Sequence, residues 1–104
     1  MMKIILNKCY GRFEFSPRAE KLILRNKHFT DKDRHIFFCS ETLRCDSDAI
    51  SVVQALGIGA SVKHTSLLQI VEIPDDYYFK VDNIDGWEYL YYSATPILTQ
   101  HNKA

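Results

Sequence analysis

Tyr77-Tyr78-Phe79-Lys80-Val81-Asp82-Asn83-Ile84-Asp85-Gly86-Trp87-Glu88-Tyr89-Leu90-Tyr91-Tyr92 is the stretch on which the fold turns. Two runs rich in aromatic and β-branched residues, Tyr77 to Val81 and Trp87 to Tyr92, flank a polar segment that ends in Asp-Gly. Asp-Gly supplies the positive backbone torsions of a tight hairpin turn, so the two runs are predicted to pair antiparallel. Period-two alternation puts Tyr77, Phe79 and Val81 on one face and Tyr78 and Lys80 on the other. If helices cover one face, the other stays partly exposed and aromatic. A dimer contact, a partner protein, a stacked base or simple cross-strand tyrosine pairing would each account for such a face.

Upstream, Ser66 to Ile73 is a run of β-formers that stops at Pro74, which cannot donate to a ladder. At the other end of the chain, Lys3 to Leu6 reads as an opening strand. Ser16-Pro17 is a strong helix start, with a capping hydroxyl followed by a proline that sacrifices no hydrogen bond, and the predicted helix runs from about Pro17 to Asn26. Asp46 caps a second helix with Ile50, Val53 and Leu56 on one face and Gly57 at its end. Between the helices, Lys27 to Arg34 reads as a turn, His35 to Cys39 as a strand and Ser40 to Cys45 as loop. The expected fold is α+β: two helices packed on one face of a mostly antiparallel sheet, with a C-terminal aromatic hairpin.

At 104 residues the chain is expected to be a single domain, 1–104, with a tail that frays from about residue 97. A hydrophobic content of 46% argues against intrinsic disorder. Cys9, Cys39 and Cys45 are odd in number and irregularly spaced, which is unlike a disulfide framework. With no signal-peptide run at the start and no stretch of the length a membrane span needs, the expected location is cytoplasmic. The formal net charge is zero, yet residues 1–44 carry ten Lys/Arg against five acids and residues 45–104 carry three against eight. Either the halves neutralise each other across the fold, or the first half forms a basic face for phosphate-bearing partners.

Asn7-Lys8-Cys9-Tyr10-Gly11 is the most site-like segment, because it joins a strand end to a helix start and strings together donors, a thiol and a flexible glycine. The alternative is that Cys9 and Tyr10 pack inward and Gly11 only makes the turn. A nucleophilic Cys9 would need a base, and His28, His35 and His64 are scattered. Cys-x-x-Cys and paired-histidine spacings are missing, so no metal and no cofactor is expected. Asp75, Asp76, Asp82 and Asp85 read as turn residues, and Gly57-Ile58-Gly59 lacks the pattern of a phosphate loop.

Leu6-Asn7-Lys8-Cys9-Tyr10-Gly11-Arg12-Phe13 resembles the Asn-Lys-Cys-Tyr-Gly-Gly-Phe opening of an uncharacterised family of small bacteriophage and bacterial proteins. Val52-Val53-Gln54-Ala55-Leu56-Gly57 and Ile70-Val71-Glu72-Ile73-Pro74-Asp75-Asp76, followed by Asp85-Gly86-Trp87-Glu88, extend the likeness in the family's order. Arg12 departs from it, standing where the family has a second glycine. The phage setting implies an accessory, counter-defence binding protein that sequesters a nucleotide-like immune signal. Tyr10 and Tyr78 would stack on bases, Lys8, Arg12 and Lys80 would meet phosphates, and Asn7 and Gly11 would complete the ligand loop. The alternatives are an inhibitor that binds a host protein through the aromatic sheet face, and a small enzyme using Cys9 or His64. A homo-oligomer is compatible with any of these. Duplex nucleic acid and membrane are not expected partners.

Overall fold

The computed structural model describes residues 1–97. In chain order the elements are β1 (Met2–Asn7), α1 (Pro17–Leu24), α2 (Asp31–Phe38), a 3₁₀ turn (Glu41–Cys45), α3 (Ser47–Leu56), a second 3₁₀ turn (Gly57–Ala60), β2 (Leu68–Ile73), β3 (Tyr78–Ile84) and β4 (Trp87–Ser93). The fold is α+β, and β3 and β4 form the C-terminal hairpin.

β1 explains the layering. Its Ile4-Ile5-Leu6-Asn7 run is buried at every position, as a strand covered on both sides must be. It pairs antiparallel with β2, from Met2 opposite Ile73 to Asn7 opposite Leu68. Alternation sends Ile5, Leu68 and Ile70 to one side, where they join Ala19 and Ile23 of α1 and Ala49, Ile50 and Val53 of α3. Ile4, Leu6 and Ile73 go to the other side and meet Tyr77, Phe79, Val81 and Leu90 of the hairpin. Helices, a β1–β2 ribbon and the β3–β4 hairpin therefore stack as three layers. The strands form two separate two-stranded sheets, and the hairpin's inner face packs on the ribbon where helices were expected.

Local chemistry sets the ends of the elements. Ser16 Oγ accepts from the Ala19 N–H at 3.2 Å, and an Asp46 carboxylate oxygen accepts from the Ala49 N–H at 3.0 Å. Gly57 closes α3 at φ +55°. In the hairpin, Asp85 (φ +53°) and Gly86 (φ +95°) take up the two positive torsions of a type I′ turn, with Ile84 opposite Trp87 as the closing pair.

The middle of the chain corrects the sequence reading: His35 to Cys39 is no strand, and a third helix begins within the expected turn. Thr30 Oγ1 accepts from the Asp33 N–H at 3.1 Å while the Asp33 carboxylate accepts from the Thr30 N–H at 3.3 Å, a reciprocal capping box that starts α2. Phe37 and Phe38 then pack against the helical side of the core. The stretch expected as loop coils as a 3₁₀ turn that seats Leu43 in the same core. No helix among the described residues is long and apolar enough to cross a membrane. Past Ile97, the tail expected to fray lies outside the described residues.

The charge asymmetry is partly resolved within the fold. Lys27 reaches from the end of α1 to Asp46 at 3.1 Å and Asp48 at 2.9 Å, and Arg44 pairs with Glu88. Burial alone would lower the Lys27 pKa. Hydrogen bonds from Asp48 and Asp46 outweigh it and leave the ammonium above its ordinary value of 10.5. Lys27 also sits over the Phe37 ring, 5.0 Å from its centroid, so one side chain ties together the ends of all three helices.

Candidate functional site

Asn7 ends β1 with no exposure, and its side chain is fully engaged inside the protein. Nδ2 donates to Cys9 O at 3.0 Å and Gly86 O at 2.8 Å, and Oδ1 accepts from the Leu67 N–H at 2.8 Å. Its backbone N–H donates to a Glu88 carboxylate oxygen at 2.7 Å. Asn7 thus clamps the loop, the lead into β2 and the hairpin turn, and it offers nothing to a ligand. Its side chain, expected in a ligand loop, is turned onto the protein's own backbone.

Gly11 is likewise a packing residue. Its N–H donates to Asp85 O at 3.0 Å, and the neighbouring Arg12 N–H donates to Thr65 O at 2.9 Å. A Cβ on Gly11 would lie 2.1 Å from Thr65 O, so the close backbone approach that requires glycine here is made by the chain itself. Gly86 meets the same loop from the other side, where a Cβ would fall 2.0 Å from Gly11 O.

Behind the loop lies a network that sequence reading did not find. Glu88, on the inward face of β4, takes both guanidinium nitrogens of Arg44 at 2.7 and 2.6 Å. Arg44 also donates to Ile5 O at 3.0 Å and lies over the Phe13 ring at 4.2 Å. Glu88 is 2% exposed, and the planar fork is the geometry that compensates a carboxylate removed from water. The alternation of Trp87-Glu88-Tyr89-Leu90 carried the signal, since it puts Glu88 on the same side as Leu90.

The remaining expected residues lie outside this clamp. Tyr10 is exposed and stacks on Trp87 with ring centroids 5.2 Å apart and planes at 41°. Lys8 Nζ donates to Glu88 O at 2.7 Å and sits 5.5 Å from the Tyr89 ring centroid. Arg12 pairs with Glu14 at 3.2 Å, and Lys80 with Asp82 at 3.5 Å. Tyr78 and Lys80 belong to the open end of the hairpin while Tyr10 sits at its turn, and seven-residue strands put about 20 Å between those ends. The seven residues therefore do not converge on one pocket.

What forms instead is an extended face. Register places Tyr78, Lys80, Asp82 and Ile84 beside Ser93, Tyr91, Tyr89 and Trp87 on the side of the hairpin away from the core. Tyr78, Tyr89, Tyr91 and Ile84 are 51, 38, 53 and 57% exposed, and Tyr10 extends the face at the turn. Trp87, Tyr89 and Tyr91 are members that sequence reading did not single out, although alternation along β4 marks them.

Cys9 is half-buried, and among the described residues its thiol has only Tyr10 O within hydrogen-bond range, at 3.8 Å. Among the described residues, the cysteine that meets a histidine is Cys39, 3.9 Å from His35 Nε2 on exposed α2. His64 is exposed in a turn at φ +71°. Cys45 is partly buried, and burial pushes its thiol pKa up, with Arg44 pulling the other way. No three His, Cys, Asp or Glu side chains among the described residues gather as a metal site. Comparison of the chain with protein-family models, with curated proteins and with solved structures finds no match.

Proposed function

We propose that this chain is a small accessory binding protein that docks on and blocks a protein of the host cytoplasm through the outer face of the hairpin. The phage setting comes from the resemblance of the opening motif. The observation that carries the docking reading is the gathering of Tyr10, Trp87, Tyr89, Tyr91 and Tyr78 on one solvent-facing side of a hairpin whose other side packs on the ribbon through Phe79, Val81 and Leu90 and leaves only Tyr92, at its open end, as an exposed ring among the described residues. Tyrosine and tryptophan are the side chains that most often dominate protein interfaces, and a contiguous exposed aromatic patch marks a surface used for contact.

Sequestration of a nucleotide-like signal draws less support from the same geometry. Tight capture of a small ligand needs a concave site that buries most of it, and Trp87, Tyr89 and Tyr91 are set out along one face of a two-stranded ribbon. Of the cations expected to meet phosphates, Lys8 is spent on a carbonyl, while Arg12 and Lys80 each have a carboxylate beside them, Glu14 and Asp82, that repels a phosphate.

The test is capture from host lysate by the immobilised chain. The wild type is expected to retain one host protein in stoichiometric amount, and Tyr91→Glu to lose it with folding intact. Ile58→Glu, an equally drastic change at a residue 80% exposed on the helical layer, is expected to keep it. Equal capture by wild type and Tyr91→Glu would overturn the reading. If heat released a nucleotide-like molecule from the purified chain and no protein were retained, sequestration would take its place.

A further inference from the structure

We infer that β3 is a dimerisation edge, and that its partner is β3 of a second copy of this chain, paired antiparallel about Val81. Within the hairpin, β4 is the strand nearest β1 and β3 is the outer one. Antiparallel ladders alternate bonded and non-bonded pairs, and Ile84 opposite Trp87 closes the type I′ turn as a bonded pair. Ile84, Asp82, Lys80 and Tyr78 therefore spend their backbone groups on β4, while those of Asn83, Val81 and Phe79 point outward. Among the described residues, none of these outward N–H or C=O groups meets a backbone partner. An unpaired edge of this length is a template for another strand. An open groove of about 340 Å³ lies against its first half, lined by Tyr78, Phe79, Lys80 and Val81 with Glu41, Pro96 and Ile97.

The sequence of β3 selects its own copy as the occupant. Antiparallel pairing about Val81 sets Val81 opposite Val81, Phe79 opposite Asn83 and Asn83 opposite Phe79, and these are the residues whose backbone groups face outward. Each such pair exchanges two N–H···O=C bonds. The same register sets Lys80 opposite the second copy's Asp82, and Asp82 opposite its Lys80, in the pairs where side chains approach most closely. Tyr78 comes opposite Ile84, so two exposed apolar residues cover each other at each end. Shifting the register by two residues in either direction loses the double Lys–Asp match. Hydrogen-bond phase, charge and apolar cover thus agree on one register, and the product is a four-stranded sheet, β4–β3–β3–β4, related by a twofold axis. The dimer uses the strand's edge and leaves the face proposed for docking open on one side of the enlarged sheet, so either proposal can fail alone.

Sedimentation equilibrium of the full chain, from about 1 µM to 1 mM, spans the affinities expected of an edge-to-edge contact. The wild type is expected to approach twice 12.1 kDa as concentration rises. Lys80→Asp places like charges opposite each other at both symmetric positions and is expected to weaken dimerisation roughly tenfold or more. The swap Lys80→Asp with Asp82→Lys restores opposite charges and is expected to restore the dimer. Far-UV circular dichroism establishes that each variant folds. A wild type that stays monomeric throughout would overturn the inference. So would a dimer that Lys80→Asp leaves unchanged, or one that the double swap fails to rescue.

Discussion

Glu88 and Gly11 show why the loop beside the aromatic face is rigid. Glu88→Ala would leave the partly buried Arg44 guanidinium without its carboxylate and the buried Asn7 N–H without its acceptor. Losing one partner of such a pair costs about 3 kcal/mol or more, and urea denaturation of the variant is expected to show it. Gly11→Ala is expected to cost about 2 kcal/mol, because the new methyl group meets the Thr65 backbone. Gly57→Ala meets nothing within 4 Å, and its cost, about 1–3 kcal/mol, comes from the backbone alone, held at φ +55° and ψ −126° outside the αL region. A Gly11→Ala midpoint unchanged from the wild type would contradict the tight approach at Gly11. The thiols rank by exposure: Cys39 is expected to alkylate first, and Cys45, partly buried with its pKa raised, last. Quantitative mass spectrometry of a timed alkylation reads that order.

At the scale of elements, what sequence reading captured and what it missed divide by the range of the interactions involved. Caps and turns are local, so Ser16, Asp46, Gly57 and Asp85-Gly86 announced their elements within a few residues. α2 is also locally signalled, by Thr30 and Asp33. Its acid is an aspartate in place of the usual glutamate, and the short Ile36-Phe37-Phe38 run suits a strand as well as a helix. Thr30→Ala is expected to cost about 1 kcal/mol and to speed amide exchange in α2 while β1 stays protected. Unchanged exchange across α2 would show that packing of Phe37 and Phe38 starts the helix without the cap. The buried clamp was beyond local reading, since Asn7 and Glu88 are 81 positions apart and Arg44 is 44 from Glu88. Of the candidate loop and hairpin residues, Tyr10 and Tyr78 face solvent, Asn7 is buried, and Gly11 is exposed with its N–H on Asp85 O.

For the whole molecule, the ribbon in the middle divides labour between two sides. The helical layer is tied by Lys27, and its dependence on pH follows from the raised pKa. Because folding favours the protonated lysine, its contribution is complete below 10.5 and is lost as pH climbs through the higher folded value. Thermal melts are expected to show the gap in stability between wild type and Lys27→Met closing above that pH; a gap that stays constant would remove Lys27 as the tie. The hairpin layer holds Tyr77 and Phe79 against Ile4, Leu6 and Ile73, leaves Tyr92 half-exposed at its open end, and turns Tyr78, Tyr89 and Tyr91 to solvent.

Trp87 is the chain's sole tryptophan and lies in the outer face beneath Tyr10, so 5-fluorotryptophan there gives one ¹⁹F resonance that reports on the docking surface. Adding the host protein that the chain captures is expected to shift or broaden that line, and a Tyr91→Glu chain under the same conditions is expected to leave it unmoved. A resonance unchanged when the wild-type chain is fully bound would place the contact elsewhere and contradict the account.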